Sequence, residues 1–175
     1  MTIFEQHFTL KQVADATGAS AQTIKAWYHY GYPVNTGANA PTGGGGPGKH
    51  RGYSLFSVME IAVAKAILDA RHFGPEQAFH AAKLFAHTGD EGRGIAVPYP
   101  EGTTVLIVST DEALIQNWNS ETKAMNTILP GKPETYVVVN ISDLFDRVGL
   151  ALGFDPRAIE AEGDAGIGKS RAATA

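Results

Sequence analysis

Four polar side chains near the start of one short predicted helix have the types and spacing to contact nucleic acid. They are Ser20, Gln22, Thr23 and Lys25. Gln can pair with adenine through two hydrogen bonds, Lys can reach guanine or a phosphate, and Thr can contact a phosphate or a thymine methyl group. The free N–H groups at a helix amino terminus also attract phosphate. These residues therefore predict contacts with double-stranded DNA.

A second set of candidate contacts closes a glycine-rich stretch, residues 31–52, which has four consecutive glycines at 43–46. The set consists of Lys49, His50 and Arg51. Turn-forming residues between two short arms are typical of a hairpin, and the basic cluster would reach phosphates or the minor groove. Because four glycines in a row rarely take up fixed structure, the tip is either a linker or a loop that DNA orders.

Two short helices position the first set of residues. Thr9 and Gln12 have capping-box spacing at the start of a helix over residues 9–17, Gly18 ends it, and Ser20 caps a helix over residues 21–29. Ile24 and Trp27, three residues apart, are expected to face inward. Two short helices joined by a three-residue turn are typical of a helix-turn-helix. Apolar residues at helical spacing predict longer helices over 54–72 and 76–86.

Strand-like and helix-like patterns alternate in the second half of the chain. Residues 89–102, rich in glycine and proline, are expected to be a linker. Beyond it, β-branched runs predict strands over 103–109 and 134–140, with helices over 111–118 and 142–152. This order indicates a small α/β domain over residues 103–153, serving oligomerisation or an unknown effector. The tail, residues 154–175, is expected to be disordered because it is rich in Ala, Gly and charge.

The order of these features resembles the winged-helix domain of MerR-type transcription regulators over residues 8–85. In that family a Thr-hydrophobic-Arg-aromatic-aromatic recognition helix follows a glycine turn, and Arg-x-Tyr closes the wing. Matching positions here are Thr23, Lys25, Trp27, Arg51 and Tyr53, and Tyr28 stands where the family usually has Glu. The wing is about twice the family's usual length, and no long dimerisation helix follows residue 86. The resemblance implies that the five matching residues contact DNA, and Tyr28 is a further candidate contact on the same helix.

The resemblance also implies a fold and a function. The expected class is α+β: a MerR-like winged helix-turn-helix, mostly α, over residues 1–88, followed by the small α/β domain. The implied function is sequence-specific binding of double-stranded DNA by a transcription regulator, acting as a homodimer or higher homo-oligomer. The same kind of winged helix occurs in phage terminase small subunits and in excisionases, and residues 13–34 resemble the lambda-type terminase pattern. This alternative would keep the DNA contacts but serve packaging or recombination. A protein-binding adaptor is a third alternative.

Charge and composition limit the other function classes. The net charge of −4 is uneven, because residues 1–72 carry +2 and the remainder carries −6. This asymmetry fits a DNA-facing front. The longest apolar runs are too short to cross a bilayer, so no membrane partner is expected. Residues 1–8 do not resemble a secretory signal, which makes the cytoplasm the expected location.

No enzyme activity, cofactor or metal is predicted. The chain has no cysteine, so it has no thiolate ligand and no disulfide. His80 and His87 are seven residues apart but have no third ligand at metal-binding spacing. Residues 163–170 match the letters of a phosphate-binding loop, yet no buried strand precedes them and too few residues follow to form the required helix.

Overall fold

The computed structural model describes residues 2–43, 50–118 and 134–159, and its fold is of the mixed α+β class. After a 3-10 turn at Ile3–Glu5, the described elements are α1 (Leu10–Thr17), α2 (Ala21–His29), β1 (Thr42–Gly43), β2 (Arg51–Gly52), α3 (Leu55–Asp69), α4 (Pro75–Ala86), β3 (Thr103–Val108), β4 (Ala113–Trp118), β5 (Val137–Asn140) and α5 (Ile141–Ala151). The α+β class expected from the sequence is confirmed.

Side-chain caps explain where most of the helices begin. Thr9, Ser20, Ser54 and Asn140 precede α1, α2, α3 and α5, and each accepts a backbone N–H from the first turn. These caps satisfy N–H groups that have no partner within the helix. Gly18 ends α1 in the left-handed conformation, with φ of 72°, where a residue without Cβ is favoured.

Helix α3 lies at the centre of the molecule. Ten of its fifteen residues are buried, and it packs along α4 while also touching α1, α5 and β5. Such a helix is apolar on nearly all sides because it meets other elements on nearly all sides. Val58, Met59, Ile61 and Ile67 are fully buried on it. Helix α3 is therefore the element against which α1, α4, α5 and β5 all pack.

Strands β3, β4 and β5 form an antiparallel sheet in the order β4-β3-β5. The helix predicted over residues 111–118 was wrong, because this stretch contains β4, paired with β3 from Val108↔Ala113 to Thr103↔Trp118. The Oγ of Ser109 accepts the N–H of Glu112 at 3.1 Å, which closes a tight turn between the strands. Pairing with β3 overrides the helical spacing of the apolar residues. The unit is therefore a hairpin with a third antiparallel strand.

One apolar cluster joins elements from both halves of the chain. It includes buried residues from the helices near the N terminus and from the sheet and α5, such as Phe8, Ile24, Leu55, Phe85, Leu106, Ile141 and Phe145. Residues of the expected linker are also packed, since Arg93, Ala96 and Val97 are each at most 2% exposed. The core is thus continuous across the stretch where a domain boundary was expected.

The start of the expected disordered tail packs on this core. The ring of Phe154 meets that of Phe8 edge-on, with centroids 6.0 Å apart, and Ile159 is only 2% exposed. The expectation of disorder was therefore wrong for residues 154–159, because two apolar side chains there find a buried surface. Residues 160–175, including the loop-like sequence at 163–170, lie outside the described residues.

Candidate nucleic-acid interface

The first turn of α2 is organised by its own hydroxyl groups. The Oγ of Ser20 accepts the backbone N–H of Thr23 at 3.0 Å, and the two hydroxyl oxygens are 2.8 Å apart. These hydrogen bonds fix the start of the helix. Because both hydroxyls are already engaged, contacts from this turn to another molecule depend mainly on the neighbouring side chains.

Helix α2 has one buried face and one exposed face. Ile24, Trp27 and Tyr28 are buried, and the indole of Trp27 packs edge-on against Phe79 with ring centroids 5.2 Å apart. The opposite side exposes Gln22, Lys25 and His29. Residues separated by three, four or seven positions lie on the same side of a helix. We call the exposed set Gln22, Lys25 and His29 the α2 face.

His29 is the member of the α2 face that the sequence reasoning missed. It lies four residues after Lys25 and seven after Gln22, so its spacing alone placed it on the same side. Among the ion pairs formed within the described residues, none includes Lys25. Within the described part of the chain, its exposed ammonium group therefore has no carboxylate that neutralises it.

The β1–β2 hairpin lies against the same helix. The backbone of Tyr53 exchanges two hydrogen bonds with Phe8, at 2.8 and 2.9 Å, which anchors the end of the hairpin to the N-terminal segment. The guanidinium carbon of Arg51 lies 4.6 Å from the centre of the Tyr28 ring, and the ring of Tyr53 meets Tyr28 edge-on at 5.7 Å. A cation over an aromatic face is attracted by the ring electrons. Arg51 is therefore held beside α2.

Where the hairpin meets α2, Arg51 carries a positive charge beside two neutral tyrosines. Burial raises the pKa of Tyr28 well above its ordinary value. Burial also raises the pKa of Tyr53, although the positive charge of Arg51 acts in the opposite direction. Both phenols are therefore neutral at neutral pH, while the guanidinium is always protonated. The junction accordingly presents a positive charge to an approaching partner.

The β1–β2 hairpin requires a glycine at residue 43. Gly43 pairs with Arg51, has φ of 72°, and a Cβ added to it would lie 2.8 Å from the carbonyl oxygen of His50. That distance is shorter than a real Cβ contact, and this φ is unfavourable for other residues. The glycine-rich composition of the stretch thus has a steric reason at this position.

The residues predicted to contact DNA fall into three groups in the structure. Ser20, Gln22, Lys25 and His50 are exposed; Thr23 and Arg51 are partly buried; Trp27, Tyr28 and Tyr53 are buried. Lys49 lies outside the described residues. The structure brings the second helix and the hairpin together at Tyr28. The buried rings of Trp27, Tyr28 and Tyr53 pack behind the exposed residues of α2 and the hairpin.

Within residues 2–43, 50–118 and 134–159, no three His, Asp or Glu side chains are grouped so that they could hold a metal ion. Over the same ranges, no helix has the length and apolar character needed to cross a bilayer. A scan with protein-family models finds no match to this chain, and a search of curated protein sequences finds no significant one.

Proposed function

We propose that this protein binds double-stranded DNA in a sequence-specific manner as a transcription regulator similar to the MerR type. The observation that carries the proposal is the α2 face, with Gln22, Lys25 and His29 exposed on a helix whose other side is locked into the core. An α-helix of this kind fits the major groove, and polar residues near its start meet base edges. In this proposal α1 and α2 act as a helix-turn-helix.

The hairpin supplies the second contact in this proposal. Arg51 is held next to the recognition helix by the ring of Tyr28, so it would reach a phosphate beside the groove. A cytoplasmic homodimer or higher homo-oligomer, reading half-sites one helical turn apart, completes the proposal. Since the net charge of the chain is −4, binding depends on the local placement of Lys25 and Arg51.

The decisive experiment compares Lys25→Ala with Lys11→Ala. Fluorescence anisotropy with duplexes selected from a randomised library should show binding that weakens steeply with salt, because phosphate contacts release counterions. Lys25→Ala should reduce the salt slope by about 1. Lys11 is a matched control, because it is also an exposed lysine but is already paired with Asp15 at 2.6 Å. Binding that is absent, or independent of salt, would refute the proposal.

Base reading and backbone contact are separated by two further variants. Gln22→Ala should relax the sequence preference at one position of the selected site, whereas Arg51→Ala should weaken binding to all sequences alike. Selection repeated with each variant measures both effects. If neither affinity nor preference changes in either variant, the exposed face of α2 serves contacts with a protein instead.

A further inference from the structure

Helix α3 carries a buried stripe of polar side chains on the side that faces residues 34–39. The stripe consists of Ser54, Ser57 and Glu60, spaced three residues apart, and each is at most 5% exposed. Glu60 is 0% exposed. Polar groups are rarely buried without partners, because the lost hydration must be replaced by hydrogen bonds. All three side chains find such partners in the segment between α2 and β1.

The hydrogen bonds of the stripe are directed at backbone atoms. Both carboxylate oxygens of Glu60 accept the N–H of Val34, each at 3.1 Å. The hydroxyls of Ser54 and Ser57 donate to the carbonyl oxygen of Asn39 at 2.8 and 3.3 Å. The segment is therefore fixed at both of its ends, largely independently of its own side chains.

Glu60 also contacts the end of α4. The Nε2 of His87, the residue that ends α4, lies 3.0 Å from the same carboxylate. The His87 side chain is 14% exposed, so the pair runs from the core to the surface. A buried carboxylate is tolerated when a partner and hydrogen bonds compensate its desolvation. His87 and Val34 provide that compensation together.

The stripe is connected with Arg51 along the chain and lies near Tyr28, whose ring contacts Arg51. Residues 34–39 precede β1 with only residues 40 and 41 between them, and Gly43 of β1 pairs with Arg51, so their position influences where the hairpin lies. The hydroxyl of Tyr28 is buried near the Ser57 side chain but forms no hydrogen bond among the described residues, and the Arg51 guanidinium lies over the ring of Tyr28. No member of the stripe is exposed enough to touch a large ligand itself.

We propose that Glu60 is a positioning residue for DNA binding: its carboxylate, paired with His87, fixes the segment after α2 and thereby sets where Arg51 meets the DNA backbone. The inference rests on the proposed function. It predicts that Glu60 acts through Arg51 and not through Gln22, since Gln22 lies on the exposed side of α2, whose buried side is held by Trp27 and Ile24.

A double-mutant cycle on the full chain tests this coupling. Glu60→Gln keeps the size of the side chain but removes its charge, and it should weaken DNA binding about fivefold, within the range for residues that act through packing. The same change should have almost no effect when Arg51→Ala is already present. Combined with Gln22→Ala, it should again weaken binding about fivefold, as independent sites do. Anisotropy with one selected duplex gives all the affinities.

Ile67→Val separates positioning from simple loss of stability. Ile67 is fully buried on the same helix, outside the stripe, so its truncation lowers stability without touching residues 34–39. It should leave DNA affinity unchanged. Amide hydrogen exchange over residues 34–43 should accelerate in Glu60→Gln but not in Ile67→Val. If Glu60→Gln fails to fold, His87→Ala replaces it in the same cycle.

The outcomes distinguish the two proposals. If the natural chain binds no DNA, the proposed function fails, whatever the exchange data show. If it binds DNA but the effects of Glu60→Gln and Arg51→Ala simply add, or Ile67→Val weakens binding as much as Glu60→Gln does, the positioning role is overturned. Non-additive effects of Glu60→Gln and Arg51→Ala, together with local acceleration of exchange in Glu60→Gln, support it.

Discussion

Arg93 connects the end of α4 to the segment that follows it. Its guanidinium donates to the carbonyl oxygens of Leu84 and Thr88 at 3.1 and 2.7 Å, and it pairs with Asp90 at 3.2 Å. Burial lowers the pKa of Arg93, while Asp90 opposes that effect. The group nevertheless stays charged, because an arginine does not lose its proton in proteins. Its forked donors satisfy carbonyls that the helix itself leaves open.

Arg93→Met should therefore destabilise the protein strongly. The change removes the guanidinium donors to the partly buried carbonyl groups of Leu84 and Thr88 and leaves Asp90 without its partner, and we expect it to lower the free energy of unfolding by about 3 kcal/mol. Urea denaturation followed by circular dichroism measures this value. Arg147→Met, on the exposed side of α5, is the control and should change stability by no more than about 0.5 kcal/mol. Equal effects of the two substitutions would show that the buried contacts of Arg93 contribute little.

The sequence predicted the role of a residue where that role depends on its neighbours in the chain. The cap at Ser20 and the inward orientation of Ile24 and Trp27 are confirmed, because neighbours in sequence determine them. The roles of Glu60 and Arg93 were not predicted. The partners of Glu60 lie 26 and 27 residues away, so only the packing of α3 against other elements brings them together.

At the scale of elements, a residue with positive φ lies beyond the end of both α1 and α3, but it is a glycine after α1 and an arginine after α3. Gly18 follows α1 with φ of 72°, and Arg71 lies just beyond α3 with φ of 58°. This left-handed conformation costs residues with a Cβ roughly 1–2 kcal/mol. A Cβ added to Gly18 would meet only open space, and Arg71 is exposed, so conformation alone should dominate at both sites.

Replacing the glycine by alanine and the arginine by glycine should change the free energy of unfolding in opposite directions. Gly18→Ala should lower the free energy of unfolding by about 1 kcal/mol, whereas Arg71→Gly should raise it by about 0.5 kcal/mol, because glycine adopts the left-handed conformation without the steric cost that a Cβ brings. Thermal unfolding of the two variants beside the natural chain tests the signs. A change in the same direction in both would mean that contacts, and not backbone conformation, decide stability at these helix ends.

Helices could be predicted where capping residues and apolar spacing agreed. The prediction failed where pairing with another strand determines the type of element. Most of the predicted helices were found within a few residues of their expected limits, since capping residues mark them. The stretch containing Ala113–Trp118 was misread because its apolar spacing fits a helix as well as a strand, and only its pairing with β3 resolves the ambiguity. The packing of residues 154–159 depends on Phe8, which no local pattern connects with them.

For the whole molecule, the continuous core predicts cooperative unfolding. Apolar residues of α5, among them Phe145 and Val148, belong to the same cluster as those of α3 and of the N-terminal helices. Contacts of α5 with both α1 and α3 join the two parts. A chain with two separately folded domains would instead have two cores that unfold at different denaturant concentrations.

The two tryptophans of the chain report on its two halves. Trp27 lies in α2 against Phe79, and Trp118 ends β4 at the far edge of the sheet. Single-tryptophan variants, Trp118→Phe and Trp27→Phe, should each show one fluorescence transition in urea. Adding Phe145→Ala to each variant should lower both midpoints together by more than about 1 M, since truncating a buried Phe costs about 3–5 kcal/mol. If only the Trp118 transition moves, the chain divides into independent domains and α5 supports the sheet alone.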